Sequence, residues 1–329
     1  MDANRVSVIG WYGHGNVGDE SYKAAFPTIF SNLRLEFSDR LNKNQKNGHV
    51  ILGGGNVCSS SFLNQVEKAE GKKIAFSIGV TKNDPIERMK MFDRIFVRDI
   101  QSHDFLNSEG ITSSVYPDAA FALTPDKNKG RDLLASMFAS QNREMYQKVV
   151  GVVFNAYLCV GEGRLARDEA TFQKVTWDIS KVIDSTSASF VFIPFGQSQP
   201  HDDRISNAWL ASRCKFWKKN LLVMSETNAQ TTLDLLAACD SVISTRLHSS
   251  IFSTVAGVPF VDVTHHSKNK TYLDVINRSH WSVNYWDFER SRFSDLINSH
   301  LAAKDSGLIE IAQNNRNKLA EMKSNVHFS

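Results

Sequence analysis

The chain has 329 residues, room for about two domains at roughly 150 residues each, and each half is long enough to bury its own core. Apolar residues make up 42% and charged residues 22%, ordinary globular proportions that exclude a disordered chain. A net charge of +3 calls for no nucleic-acid partner and repels no anionic substrate.

The opening run MDANRVSVIG lacks the charged start and long apolar stretch of a signal peptide. The apolar runs that follow are short and mostly continuous, as strands read when helices cover both faces of a parallel sheet. In the first half the predicted strands are Val6–Gly10, His49–Leu52, Lys73–Ile78, Arg94–Val97 and Ser114–Tyr116. Helices are expected at Ser21–Leu33, Phe62–Glu70 and Ser102–Glu109, while residues 34–47 read as polar and irregular. Alternating strand and helix make the class α/β. The polar, proline- and glycine-containing segment 124–148 holds the break between domains, and a helix leads from it into the second half. There the strands are Val149–Phe154, Phe190–Pro194, Leu221–Met224, Ser241–Ser244 and Phe260–Val263. The helices are Asp168–Asp184, Asp203–Cys214, Asn228–Ala238 and His248–Ala256, with an amphipathic helix at Leu308–Met322. The expected division is 1–145 and 146–329. No run approaches the 18 or so apolar residues of a membrane span. Cys58, Cys159, Cys214 and Cys239 are far apart, with neither zinc nor disulfide spacing, and suit a reducing compartment. These features predict a soluble, cytoplasmic protein whose membrane contact, if any, would be peripheral.

Four places could carry chemistry. Gly13-His14-Gly15-Asn16-Val17-Gly18-Asp19-Glu20 follows the first strand and opens a helix, with G-x-G-x-x-G spacing. No acidic residue is seen closing a second strand about 20 residues later to hold a ribose. The loop is either a tight turn capped by Asn16 or Asp19, or a ligand loop. Gly53-Gly54-Gly55-Asn56 follows a buried strand, and its glycines imply close backbone approach or a crowded crossover. Ligands in open α/β sheets sit beyond the carboxyl ends of strands, so the two glycine loops point to one place. Arg246-Leu247-His248 stands at a strand-to-helix junction. Arginine offers carboxylate or phosphate a bidentate fork, and histidine can move a proton; the plainer alternative pairs Arg246 with a carboxylate such as Asp240. His265, His266, Lys268 and Lys270 follow the next strand as a basic edge or a solvated loop. They lack a third metal ligand, so no metal is expected.

Taken in order, Tyr12-Gly13-x-Gly15-Asn16-x-Gly18-Asp19-Glu20, Gly53-Gly54-Gly55, Ser77-Ile78-Gly79, Val97-Arg98-Asp99 with Ser102 and Leu106, Pro117-Asp118, Arg246-Leu247-His248 and Gly257-Val258-Pro259 resemble the polysaccharide pyruvyltransferase family over residues 8 to 277. The resemblance implies two Rossmann-like doubly wound domains facing a cleft, similar to the GT-B glycosyltransferases. It also implies transfer of a pyruvyl group from phosphoenolpyruvate to two sugar hydroxyls as a cyclic ketal, with no cofactor beyond that donor. Arg246, Leu247, His248 and Lys268 would lie at the donor site of the second domain. Gly15, Asn16, Asp19, Gly54, Gly55 and Asn56 would face a sugar or glycan acceptor, free or lipid-linked. His248 is the expected proton donor and Asp19 the base. Two features depart from the family: Asn155-Ala156 stands where many members carry an arginine, with Arg164 and Arg167 as later substitutes, and no aspartate follows the triple glycine. The competing readings are a nucleotide-sugar glycosyltransferase on the same scaffold and a non-catalytic sugar- or anion-binding protein. Trp11, Tyr12 and Tyr157 could stack on sugar rings or belong to core and rim.

Overall fold

The computed structural model describes residues 5–155, 165–199, 202–264, 267–303, 305 and 307–322. The chain forms two compact units, Met1–Leu123 with Gln313–Ser329, and Thr124–Ala312.

The first unit is built on one six-stranded parallel sheet. Its strands are β1 (Arg5–Ile9), β2 (Arg34–Ser38), β3 (His49–Gly55), β4 (Lys73–Ile78), β5 (Arg94–Val97) and β6 (Ser114–Val115). Its helices are α1 (Val17–Glu20), α2 (Tyr22–Ile29), α3 (Ser60–Val66) and α4 (Ile100–Ser108). Alternate strand residues feed two layers. Val50, Leu52 and Ala75 pack with Phe62, Leu63 and Leu106 on one face, while Phe76 meets Phe26 and Phe30 in an aromatic cluster. Burying each such side chain contributes about 1.5–3 kcal/mol.

The strand order is β2-β1-β3-β4-β5-β6. It reverses between β1 and β3, and doubly wound sheets bind ligands beyond the carboxyl ends at that reversal. β2 corrects the reading of residues 34–47 as irregular. It is an edge strand whose residues, after exposed Arg34, are only partly buried, so it lacks the apolar run of its neighbours. Arg5 and Gln45 both donate to Glu36, tying the edge down. Asp39 follows β2 directly, so an acidic residue does close a second strand.

The second unit also has six parallel strands. They are β7 (Val149–Val153), β8 (Ser189–Phe192), β9 (Asn220–Leu222), β10 (Ser241–Ser244), β11 (Phe260–Thr264) and β12 (Ser282–Asn284). Its helices are α5 (Lys127–Ser140), α6 (Leu165–Ser185), α7 (Asp203–Ser212), α8 (Ala229–Ala237), α9 (Leu247–Ala256), α10 (Ser267–Val275) and α11 (Arg290–Ala302). α12 (Gly307–Met322) begins in this unit, and its residues from Gln313 belong to the first. The order β12-β11-β10-β7-β8-β9 reverses between β7 and β10. Val150, Val152, Phe154, Val261 and Val263 pack with α6 and α11 residues on one face. On the other face Gly151 lies against Leu236 and Cys239.

The fold class is the expected one: α/β, two Rossmann-like doubly wound units, GT-B-like. The sequence reading divides the chain at 145/146, whereas the compact units meet at Leu123/Thr124. α5 belongs with the second unit because it touches α8: a Cβ on Gly130 would lie 1.8 Å from the Asp234 carbonyl oxygen. The polar sequences of β12, α10 and α11 give no strand or helix signal in the sequence reading.

Candidate active site

At the β1/β3 switch of the first unit the two glycine loops meet. Tyr12, buried, donates its hydroxyl to the Gly53 carbonyl at 2.6 Å. A Cβ on Gly10 would lie 2.6 Å from that same carbonyl, so only glycine permits the approach. Gly13 and Gly15 have positive φ, as do Gly54 at 79° and Gly55 at 84°. The Asn16 side chain accepts from the Gly18 N–H, and the Gly13 N–H donates to Glu20 Oε1. Asn16 is therefore the cap of α1, as its plainer reading has it. Asp19, part-exposed on α1, closes over the second loop: a Cβ on Gly55 would stand 2.7 Å from its Oδ1. Burial, reinforced by Asp19 and Glu20, holds the Tyr12 phenol well above its ordinary pKa, so it stays a neutral donor.

The next loops along the sheet are tied by a buried polar cluster. Arg98 Nη1 contacts Asp118 Oδ2 at 3.1 Å and the Tyr22 hydroxyl at 3.1 Å. The Tyr22 hydroxyl donates to Asp118 at 2.9 Å, and Arg98 Nη2 donates to Asn56 Oδ1 at 2.9 Å. Tyr22 is pushed up first by burial and then by the Asp118 charge. Ser77, at φ 56°, accepts the Ala119 N–H on its hydroxyl. Arg98, Asp118 and Tyr22 carry no assigned role in the sequence reading. The available signal is that Arg98 directly follows β5 and that Asp118 comes three residues after the short strand β6. Trp11 is 42% exposed and stacks on His14 at 3.9 Å, whereas Tyr12 is core. His14 Nε2 lies 3.6 Å from Asp39. Tyr157 lies outside the described residues.

In the second unit, Arg246 caps the amino end of α9 just past β10. Its Nε and Nη2 donate to Asp203 Oδ2 and Oδ1, each at 2.7 Å. Asp203 is 1% exposed and also accepts the Phe195 and Gly196 N–H groups. That carboxylate thus joins the β8 loop, the start of α7 and the β10 loop. Asp240, named in the sequence reading as a partner for Arg246, instead binds Lys148 and the Val149 N–H. The bidentate edge of Arg246 is thus occupied from within the protein.

Leu247 is buried and His248 half-buried in the first turn of α9. Lys268 is exposed at the start of α10, after β11, the strand paired with β10. The three therefore stand on adjacent loops at one carboxyl edge. Beneath them Ser250 donates to buried Asp262, as does Asn269. Asn155 is buried at the end of β7, and its N–H donates to Thr245 Oγ1, so it sits at the β7/β10 switch. His265, His266 and Arg164 lie outside the described residues, and Arg167 falls within α6. Among the described residues no three His, Cys, Asp or Glu side chains are grouped to hold a metal ion. Cys58, Cys214 and Cys239 are buried free thiols, and burial pushes Cys214 and Cys239 up to about 12; Cys159 lies outside the described residues. No helix among them is long and apolar enough to cross a membrane.

Two Rossmann-like units, each with polar side chains at the carboxyl edge of its sheet, define a GT-B-like class of protein. Solved structures of that fold are similar to the chain over nearly all its length. A putative UDP-N-acetylglucosamine 2-epimerase of Listeria monocytogenes aligns at TM-score 0.62 and 10% identity, over 99% of this chain and 94% of that one. The S. aureus MnaA–UDP structure gives 0.61 and 9%, over 98% and 93%. The UDP-GlcNAc 2-epimerase of Methanocaldococcus jannaschii gives 0.57 and 9%, over 97% and 98%. At such identity the likeness is one of fold. The sequence itself matches the polysaccharide pyruvyl transferase family over residues 18–267, and the chain belongs to that family. No curated protein matches it.

Proposed function

We propose that the protein transfers the pyruvyl group of phosphoenolpyruvate to two hydroxyls of one sugar in a polysaccharide or glycoconjugate, forming a cyclic ketal and releasing phosphate. The observation that carries this reading is the family match, whose span includes Asp19, the β3 glycines, Arg246 and His248 and ends one residue before Lys268. A proton adds to the methylene carbon of the donor, leaving a cationic carbon. One sugar hydroxyl attacks that carbon and loses its proton. The carbon–oxygen bond to phosphate breaks, and the second hydroxyl closes the ketal and loses its proton. Of the two protons released, one balances the proton taken up by carbon and the other leaves to solvent or phosphate.

His248 supplies the proton, and Asp19 is the base for the acceptor hydroxyl. Lys268 offers the donor an exposed cation. Arg246, its fork held by Asp203, acts as a fixed positive charge rather than a bidentate grip. Trp11 presents an exposed ring suited to a sugar face. No cofactor or metal takes part, because phosphate leaves readily once the carbon is protonated, and the reaction runs in the cytoplasm.

A second reading, a nucleotide-sugar transferase, is favoured by the likeness to a UDP-bound fold and by Asn155 at the position where many members carry arginine. Incubation with phosphoenolpyruvate and a panel of sugars separates the two. Sugar-dependent phosphate release, with a new quaternary ketal carbon by NMR, is expected. Binding of a UDP-sugar with no phosphate release would establish the second reading. Phosphoenolpyruvate binding without turnover would make the protein a non-catalytic relative.

A further inference from the structure

Large aromatic side chains are seldom left in water, yet Phe216 is 59% exposed and Trp217 53%. They are consecutive, in Lys215-Phe216-Trp217-Lys218, and lead into edge strand β9. β7, β8 and β9 are parallel, so this turn lies at the amino edge of the sheet, the opposite end from Arg246 and His248.

The turn is held firmly. Asp184, at the end of α6, accepts the N–H groups of Lys215 and Phe216. Arg143 donates to the Trp217 carbonyl and lies 4.3 Å over the Trp217 ring. The Lys219 amine is buried on the Ile183 and Thr186 carbonyls beneath. The aromatic pair is thus presented on a rigid base, not left on a loose loop. Around it stand three cations, Lys215, Lys218 and Arg143, against two carboxylates, Asp184 beneath the turn and Glu144, which is 4.0 Å from Lys218. The flank of α6 adds Trp177, 50% exposed, with Lys181 lying 3.9 Å over its ring. Trp177, Lys181 and Asp184 follow one another at helical spacing, so Trp177 is roughly 10 Å and Lys181 roughly 5 Å along α6 from Asp184.

Adjacent aromatics ringed by lysine and arginine match one environment in particular. At a bilayer surface the rings enter the headgroup–acyl boundary while the cations remain with anionic headgroups. Lysine stems can lie along the apolar boundary with their amines outward. We propose that the surface of Phe216, Trp217, Lys215, Lys218 and Arg143 docks the second unit on an anionic phospholipid bilayer. The excess of cations is what selects that occupant over an apolar protein partner. The inference is independent of the transfer reaction.

The test is co-sedimentation of the full chain with vesicles of phosphatidylcholine alone and of phosphatidylcholine with one third phosphatidylglycerol. Binding to the anionic vesicles, weakened by added salt, is expected. Phe216→Ser with Trp217→Ser should weaken it about tenfold or more. Lys215→Glu with Lys218→Glu should remove the preference for anionic lipid while leaving the aromatics in place. All four side chains are exposed, and circular dichroism would establish that each variant is folded. Three results would overturn the proposal: no sedimentation of the native chain with anionic vesicles, unchanged binding by both folded variants, or concentration-dependent self-association abolished by the aromatic pair's replacement. The last would assign the surface to a second copy of the chain.

Discussion

Nε and Nη2 of Arg246 each lie 2.7 Å from a separate oxygen of Asp203, a side chain only 1% exposed. Two backbone N–H groups from the β8 loop converge on the same carboxylate. The pair therefore fixes the relative placement of the β8 and β10 loops before any ligand arrives.

Removing Arg246 leaves Asp203 buried without its cation, which typically costs about 3–5 kcal/mol. Arg246→Ala should consequently lower the melting temperature as well as weaken the donor. Arg246→Lys should recover little of the stability, because a point charge cannot span both Asp203 oxygens. Denaturant unfolding and steady-state kinetics on the same preparations check this. A loss of donor affinity with unchanged stability would mean that Arg246 serves the ligand rather than Asp203.

His248 should behave differently. It is half-buried in the first turn of α9, so His248→Ala should alter stability little. In its proposed role as proton donor it acts only in the transition state, so turnover should fall roughly 100- to 10,000-fold while the KM for the proposed donor, phosphoenolpyruvate, changes little. Near-normal turnover in this variant would move the proton donor elsewhere.

The adjacent glycines at the end of β3 should respond unequally to alanine. Both have positive φ, which costs a non-glycine residue roughly 1–2 kcal/mol. At Gly54 the added Cβ also falls 2.0 Å from the ring of Tyr22, which is buried and bonded to Asp118 and Arg98. At Gly55 it meets only the part-exposed Asp19 carboxylate, at 2.7 Å. Gly54→Ala should therefore be the more destabilising in thermal melts. Gly55→Ala should act mainly on turnover, by displacing Asp19, the proposed base. The reverse ranking would show that Tyr22 yields easily and that the loop does not depend on it.

The sequence announces the central strands because their apolar runs are continuous: β4, β5 and β10 coincide with their expected bounds. It conceals β2 and β12, edge strands with few fully buried residues. The glycine loops are legible because positive φ and close approach leave glycine as the fitting residue. The partner of Arg246 is not legible, because Asp203 lies 43 residues upstream and only the fold joins them. The same holds for the cluster of Tyr22, Arg98 and Asp118, whose Tyr22–Asp118 bond spans 96 residues.

Acid should destabilise the second unit as the pH falls below 6.5, through His300 on α11. This ring is buried, its Nδ1 is 3.4 Å from Ser241 Oγ, and Trp281 packs on it in an edge arrangement at 4.7 Å. Burial, helped by His280 and opposed by Asp305, lowers its pKa from 6.5 to about 4. Above pH 6.5 the ring is neutral in both folded and unfolded chains and contributes no pH dependence. Below that value the unfolded chain takes up a proton that the folded chain refuses, so stability falls as the pH drops from 6.5 toward about 4. The full effect is on the order of 3 kcal/mol. The lowered carboxyls of Asp202 and Asp305 act later, since their stabilisation is lost only below their ordinary value of 3.8. Thermal melts of the native chain and of His300→Gln across this range check the assignment. The native melting temperature should decline through the window and that of the variant should stay nearly flat. Parallel declines in both would show that the acid sensitivity arises from another group.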